Sequence, residues 1–456
     1  MLKSINPATG EEIAAHEELG AAEIEARLAA AAAGFAHWRS SVPEARVALL
    51  RRIADRFEAN RERLARMATL EMGKTYASSL AEVDKCAAGF RFYADRGPAM
   101  LAPERRPLSS GGSAEIRWLP LGPVLAVMPW NFPYWQVVRF VAPTLMAGNV
   151  GLLKHASNVQ GVAKLIEEMV VAGGAAPGLF QNLPIRSGAV AGLIADDRIA
   201  AVTLTGSEGA GAAVAEQAGR ALKKSVLELG GSDPFIIMPS ADLDAAARQA
   251  VKARIQNSGQ SCICAKRIIV HTDVYDAFLA RFAALMGEVK AGDPFDAATD
   301  MGPLSSVAQR DTVLAQVEEA ESQGARLLCG AKRIEGEGAY MSAGILIDVP
   351  PHSPILSDEI FGPVAIVLRA EDADAAIALA NDVPFGLGSS VWTNDRDEQE
   401  RFVRGIEAGM TAINQMLASS PEAPFGGIKR SGYGRELGLQ GLHEFMNLKT
   451  VFHREA

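Results

Sequence analysis

At 456 residues the chain exceeds what one hydrophobic core usually serves, so two or more domains are expected. With 48% apolar and 22% charged residues it has the balance of a globular protein, not of a disordered one. The net charge of -9 comes from 54 acids and 45 bases mixed along the chain, and without a basic block there is no footprint for nucleic acid.

The opening MLKSINPATGEEIAAHEE lacks the charged-then-apolar order of a secretory signal. The first hundred residues read as helical. Ile24, Leu28, Phe35 and Trp38 fall on one stripe, and Leu50, Ile53, Phe57, Leu64 and Met67 on another. PERRPLSSGGS (103–113) breaks that pattern as a loop or a domain crossing would. The following AEIRWLPLG has β-type residues but also Pro120, which suits an edge or crossing strand.

From residue 124 the chemistry alternates. Apolar runs at 124–128, 150–153, 180–183 and 200–205 read as strands, none near the ~20 residues that span a membrane. Helical segments separate them, one with Val162, Leu165, Ile166 and Met169 on a single face. Such alternation predicts a parallel sheet covered by helices. After Gly230 and Gly231 the pattern restarts, with strands at 235–238, 267–270, 363–368 and 389–392 and helices over 242–255, 274–289 and 372–381. This is a second α/β domain, and the tail NLKTVFH (447–453) reads as a strand that pairs elsewhere.

Four cysteines are too few for a disulfide framework at this length, which points to a reducing cytoplasm. Seven scattered histidines give no zinc-type spacing with them, so no protein-held metal is expected. Cys262, in NSGQSCICAKR, has small polar neighbours that suit a reactive thiol, although most lone cysteines are inert. Glu228 lies between Leu227 and Leu229 at the end of an apolar run, where burial would raise its pKa toward general-base use. A carboxylate that pairs with a neighbouring base reads equally well there. Asn131, between Pro129 and Pro133, is either an oxyanion donor or an Asx-turn residue. In TLTGSEGAG a strand gives way to a helix, and Gly206, Ser207 and Gly211 permit a phosphate at its start, as in any strand-to-helix turn.

The ordered set is more specific than any member. PWNFP, the Lys154 segment, TGSEGAG, LELGG, GQSC, EIFGP and PFGGIKRSGYGRE follow one another, and together they resemble the aldehyde dehydrogenase family over essentially the whole chain. The resemblance implies an α/β fold with a Rossmann-like cofactor domain (1–102 and 121–230), a catalytic domain (231–430) and a small β element for oligomerisation (103–120 and 431–456). It implies Cys262 as nucleophile, Asn131 as oxyanion donor and Glu228 as the base that activates water. Glu359 and Phe361 match positions that hold the nicotinamide ribose and ring. Lys154 matches the adenosine-ribose residue, and Trp130 lies in the same cofactor-lining segment.

Many NAD-preferring relatives carry Glu three residues after this lysine; here it is Ser157, which would not repel a 2′-phosphate. Ser157 and Gln160 also have the spacing of a capping box, and a capped helix start suits an anion. NADP is therefore the expected cofactor, with NAD also accepted.

Within the family the chain most resembles succinate-semialdehyde dehydrogenases, which implies succinate semialdehyde as the small-molecule partner. Arg139 matches a carboxylate-binding arginine, Ser419 a serine on the opposing loop, and Trp135 a pocket wall; a structural ion pair is the plainer reading of Arg139. Gln256 stands where some relatives have a second arginine, and Arg254 would face elsewhere. Another semialdehyde, an aliphatic aldehyde and a CoA-acylating reaction are the neighbouring possibilities, and Glu228 argues for hydrolysis over CoA transfer. A cysteine thioesterase would need a histidine paired with Cys262, and no segment suggests one. A Cys262–Cys264 disulfide would have to bend an extended segment in which such Cα atoms lie roughly 6.6 Å apart; a packed Cys264 is the simpler expectation. A homodimer or homotetramer is the family's assembly.

Overall fold

The computed structural model describes residues 1–454 and is built on two parallel-rich sheets. The first has six strands in the order Gly432–Tyr433, Lys224–Glu228, Ala201–Thr205, Pro123–Met128, Val150–His155 and Phe180–Asn182. The last five run parallel, as their continuous apolar character requires of strands buried on both faces. The two-residue edge strand is antiparallel and arrives from far down the chain, pairing Gly432 with Glu228. The long helices Pro43–Ala59, Arg61–Met72 and Tyr76–Met100 pack with this sheet in one core that includes Ile53, Phe57, Leu64 and Phe90.

The second sheet has seven strands, ordered Arg326–Cys329, Gly344–Ile347, Val364–Ala370, Arg267–His271, Pro234–Ile237, Ser390–Trp392 and Ala412–Ile413. Only the outermost pair, Arg326–Cys329 with Gly344–Ile347, is antiparallel. Its faces bury separate apolar clusters, one around Phe278 and Phe282 and others around Val317 and Phe402. Among the described residues no helix is long and apolar enough to cross a membrane.

Three expectations change. Residues 2–16 are not helical: Leu2–Ile5 and Glu12–His16 form an antiparallel hairpin. The turn NPATG makes it, with Gly10 at φ 77° and its N–H donating to the Asn6 carbonyl at 2.7 Å. Residues 103–113 are not all loop, since Glu104–Pro107 is an edge strand. The strand with Pro120, Ser113–Pro120, is the middle strand of a three-stranded antiparallel sheet, and Pro120 is tolerated because it is the last residue. The tail strand Met446–His453 pairs along its whole length with this middle strand.

Candidate active site

Ligand crevices in parallel sheets lie beyond the carboxyl ends of the strands. In the first sheet those ends carry the residues singled out above. Trp130 and Asn131 follow Pro123–Met128, Lys154 lies in Val150–His155, Gly206 and Ser207 follow Ala201–Thr205, and Glu228 ends its own strand. His155 joins two of these ends. Its Nδ1 accepts from the Ala156 N–H at 2.9 Å, so its Nε2 donates to the Pro133 carbonyl at 2.9 Å and ties down the PWNFP loop. Burial holds this imidazole down to about 4, so it stays neutral.

Cys262 arrives from the second sheet's side. Helix Leu243–Ile255, capped by the Asp242 carboxylate, ends where Asn257, Ser258 and Gly259 all take left-handed φ of 55°, 57° and 74°. These three residues turn the chain sharply, and polar contacts hold the turn. Asn257 Nδ2 donates to the Asn131 carbonyl at 2.6 Å, and Ser258 Oγ donates to the Gly302 carbonyl at 2.9 Å. Lys266 Nζ then reaches back to the carbonyls of Ser261 and Cys262 at 3.0 and 2.7 Å and to Glu359 Oε1 at 3.0 Å. The EIFGP segment is thereby bound directly to the cysteine loop.

Cys262 is half-buried at the meeting point of two cavities that also share Gln136. One, of about 240 Å³, is bounded by Trp130, Asn131, Gly206, Ser207, Glu359 and Phe361. Trp130 and Phe361 meet edge to face across it, with ring centroids 5.6 Å apart. The other, of about 160 Å³, includes Lys85, Trp135, Arg139, Ser419 and Phe425. No histidine lines either cavity, so nothing here makes a thioesterase-type cysteine–histidine pair.

Burial pushes the Cys262 thiol up to about 12, with Arg139 and Lys266 pulling weakly the other way. Asn131 Nδ2 donates one hydrogen to the Gln260 carbonyl at 3.1 Å, which leaves its second free. The Cys262 backbone N–H has no acceptor among the described residues. Two donors therefore stand near the thiol for an oxygen that becomes negative.

Glu228 lines neither cavity. Its carboxyl is buried beside Gly426 with no hydrogen-bond partner among the described residues. Burial and then the nearby Glu436 push it well above the usual carboxylate range, with Arg139 opposing. Arg139 is itself buried and ion-paired with Glu436, with Nη2 3.2 Å from Thr205 Oγ1 and its guanidinium over the Phe425 ring. The structural ion pair read as the plainer role of Arg139 is thus present, with Glu436 as the partner that the sequence did not identify. Arg254 faces away and donates to the Ile360 and Gly362 carbonyls.

The capping box expected near Lys154 is corrected. Gln160 forms no capping box with Ser157: Ser157–Val159 is a 3₁₀ turn, and helix Gln160–Ala172 starts without a side-chain cap from its N-cap residue. The Gln160 amide instead donates to the Ala156 carbonyl at 3.0 Å and accepts from Asn182 at 3.4 Å. Glu71 takes the N–H groups of Gly161 and Val162 at 2.8 and 2.9 Å, so this helix start is already satisfied by an anion. At Gly211 a Cβ would press on Leu229, so this helix turn packs closely on the LELGG segment. Cys264 is buried and free, its thiol pointing at the Gln256 carbonyl.

A half-buried cysteine between two clefts, with oxyanion donors beside it, defines an enzyme that works through a covalent thiol adduct. The chain belongs to the aldehyde dehydrogenase family, whose model, described as "Aldehyde dehydrogenase family", matches residues 1–451. It is 51% identical over 454 residues to a protein of Mycolicibacterium paratuberculosis named succinate-semialdehyde dehydrogenase [NADP(+)], covering 99% of this chain and 96% of that one. A protein of Mycobacterium tuberculosis named succinate-semialdehyde dehydrogenase [NADP(+)] 1 is 50% identical over 453 residues, 99% of each chain. Among solved structures, a succinic semialdehyde dehydrogenase from Streptococcus pyogenes in complex with NADP+ superposes with a TM-score of 0.98, 37% identity and 100% coverage of both chains.

Proposed function

We propose that this enzyme oxidises succinate semialdehyde to succinate with NADP+ preferred and NAD+ accepted. The observation that carries the reading is the position of Cys262, with the cleft of Trp130, Glu359 and Phe361 on one side and a pocket ending in polar groups on the other. The relatives' names support the choice of aldehyde and cofactor.

The cleft residues fit a dinucleotide. Trp130 and Phe361 offer aromatic walls, Glu359 a ribose acceptor, and Gly206 and Ser207 a backbone close to the start of helix Glu208–Arg220. Lys154 makes no ion pair among the described residues, and burial lowers its pKa, as for a cation that lacks a partner. Ser157, exposed three residues on, puts a hydroxyl where a carboxylate would repel a 2′-phosphate. Gly211, in the first turn of helix Glu208–Arg220, and Gln160, whose amide holds the Ala156 carbonyl beside Ser157, complete the proposed set. The proposed division of labour keeps residues 1–102 and 121–230 for the cofactor, 231–430 for chemistry and 103–120 with 431–456 for assembly as a homodimer or homotetramer in the cytoplasm.

Cys262 gives its proton to solvent and its thiolate attacks the aldehyde carbon, and the resulting oxyanion takes hydrogen bonds from Asn131 Nδ2 and the Cys262 backbone N–H. NADP+, when bound, supplies the acceptor for the hydride whose loss turns this hemithioacetal into a thioester. Glu228, once deprotonated and rotated toward the thioester, takes a proton from water, whose oxygen displaces the thiolate as the carboxylic acid forms. Arg139, Trp135 and Ser419 border the pocket that takes the far end of the substrate.

Absorbance at 340 nm with succinate semialdehyde and butanal, each with NADP+ and NAD+ and with and without CoA, tests the reading. Succinate semialdehyde with NADP+ should give the highest kcat/KM, with no need for CoA. Strict NAD+ dependence, a CoA requirement or an equal rate with butanal would overturn it.

A further inference from the structure

The substrate pocket contains three cations, and two of them are already matched. Lys74 is paired with Glu82 at 2.6 Å, both fully buried, and Glu82 is held in turn by the Tyr134 and Trp135 N–H groups. Arg139 is paired with Glu436. Lys85, reaching in from helix Tyr76–Met100, has no carboxylate within ion-pair distance among the described residues. Its ammonium lies 4.4 Å from the centre of the Trp135 ring and donates to Ser419 Oγ at 2.8 Å.

Ser419 completes the arrangement. Trp135 Nε1 also donates to its Oγ, at 2.9 Å. Ammonium and indole N–H groups are donors only, so the serine oxygen accepts twice and both its lone pairs are used. Its own O–H hydrogen must then point to a third acceptor, and none is present among the described residues. An unmatched cation and a hydroxyl forced to donate lie side by side at the polar end of the pocket. That pair is complementary to one carboxylate.

We propose that Lys85, with the Ser419 hydroxyl, is a specificity-determining site for the substrate carboxylate. The inference deepens the proposed function and rests on it. Burial lowers the Lys85 pKa to about 8, which agrees with a cation that lacks a counter-charge until a carboxylate arrives.

The test compares kcat and KM for succinate semialdehyde and butanal in the wild type and in Lys85→Met, Lys85→Gln and Lys85→Arg. In Lys85→Met and Lys85→Gln the preference for succinate semialdehyde, as the ratio of kcat/KM values, should fall about tenfold to a hundredfold, mainly through KM. Lys85→Arg should keep most of it. A preference unchanged in Lys85→Met and Lys85→Gln, or equal losses on both aldehydes, overturns the role of Lys85. A wild type without any preference for succinate semialdehyde overturns the proposed function instead, so the two failures are told apart.

Discussion

The nucleophile is held in its neutral form. Burial pushes the Cys262 thiol up to about 12, and the nearby cations Arg139 and Lys266 do not offset it. Only the thiolate reacts, and its fraction grows tenfold per pH unit until the pKa is reached. The rate of Cys262 carbamidomethylation by iodoacetamide in cofactor-free enzyme should therefore climb between about pH 7 and pH 9 without a plateau. Peptide mass spectrometry separates this site from half-buried Cys329, and a plateau near neutrality would refute the assignment. At this scale the sequence was legible wherever a motif surrounds the residue, as it does Cys262, Asn131 and Glu359. Lys85 was not, because one lysine on an ordinary amphipathic helix carries no local signal. Its meaning comes from Ser419 and Trp135, which only the tertiary fold brings to it. Gln160 misled for the opposite reason. Its spacing from Ser157 is that of a capping box, but Glu71, some ninety positions earlier in the chain, supplies the anion that this helix start needs.

At the scale of elements, the cysteine loop and the EIFGP segment behave as one unit. Gly259 permits it twice over. Its φ of 74° suits glycine, and an added Cβ would press on the Gly362 backbone and lie 2.6 Å from Pro363 N. Gly259→Ala must open the gap between the two segments, because the backbone it meets has no flexible end to give. A loss of about 2–4 kcal/mol in stability is expected from strain and overpacking together. Activity should drop more than stability explains, since Cys262 and Glu359 are displaced together. Thermal melting alongside turnover at 340 nm would check this, and a variant with unchanged melting and turnover would show the contact to be dispensable. Most buried parallel strands were readable because they are short continuous apolar runs, although Gly344–Ile347, a run of the same kind, was not singled out. The half-exposed strand Arg326–Cys329 and the N-terminal hairpin were not, since neither has such a run.

At the scale of the whole molecule, the site depends on returns of the chain that periodicity cannot encode. Glu228 ends a strand of the first sheet, Cys262 follows the first strand of the second, and Glu436 comes back from near the C-terminus to neutralise Arg139. Strand order was illegible for this reason, even where the strands themselves were visible. The last return also leaves an unfinished surface. Met446–His453 forms the outer edge of the three-stranded sheet, so its far side has no strand partner among the described residues. Leu448 and Phe452 lie on one face of it, 53% and 72% exposed. An edge strand with exposed apolar side chains invites pairing with another chain, and natural edges of this kind are usually blunted by charge or covered. Here Lys449 is the one exposed charge along the strand, and the apolar pair Leu448 and Phe452 beside it supports assembly through this edge. Multi-angle light scattering should give a mass of two or four chains, and the double substitution Leu448→Lys with Phe452→Lys should shift it toward one. A monomeric wild type would remove this role from the strand, and an unchanged mass in the double variant would move the interface elsewhere.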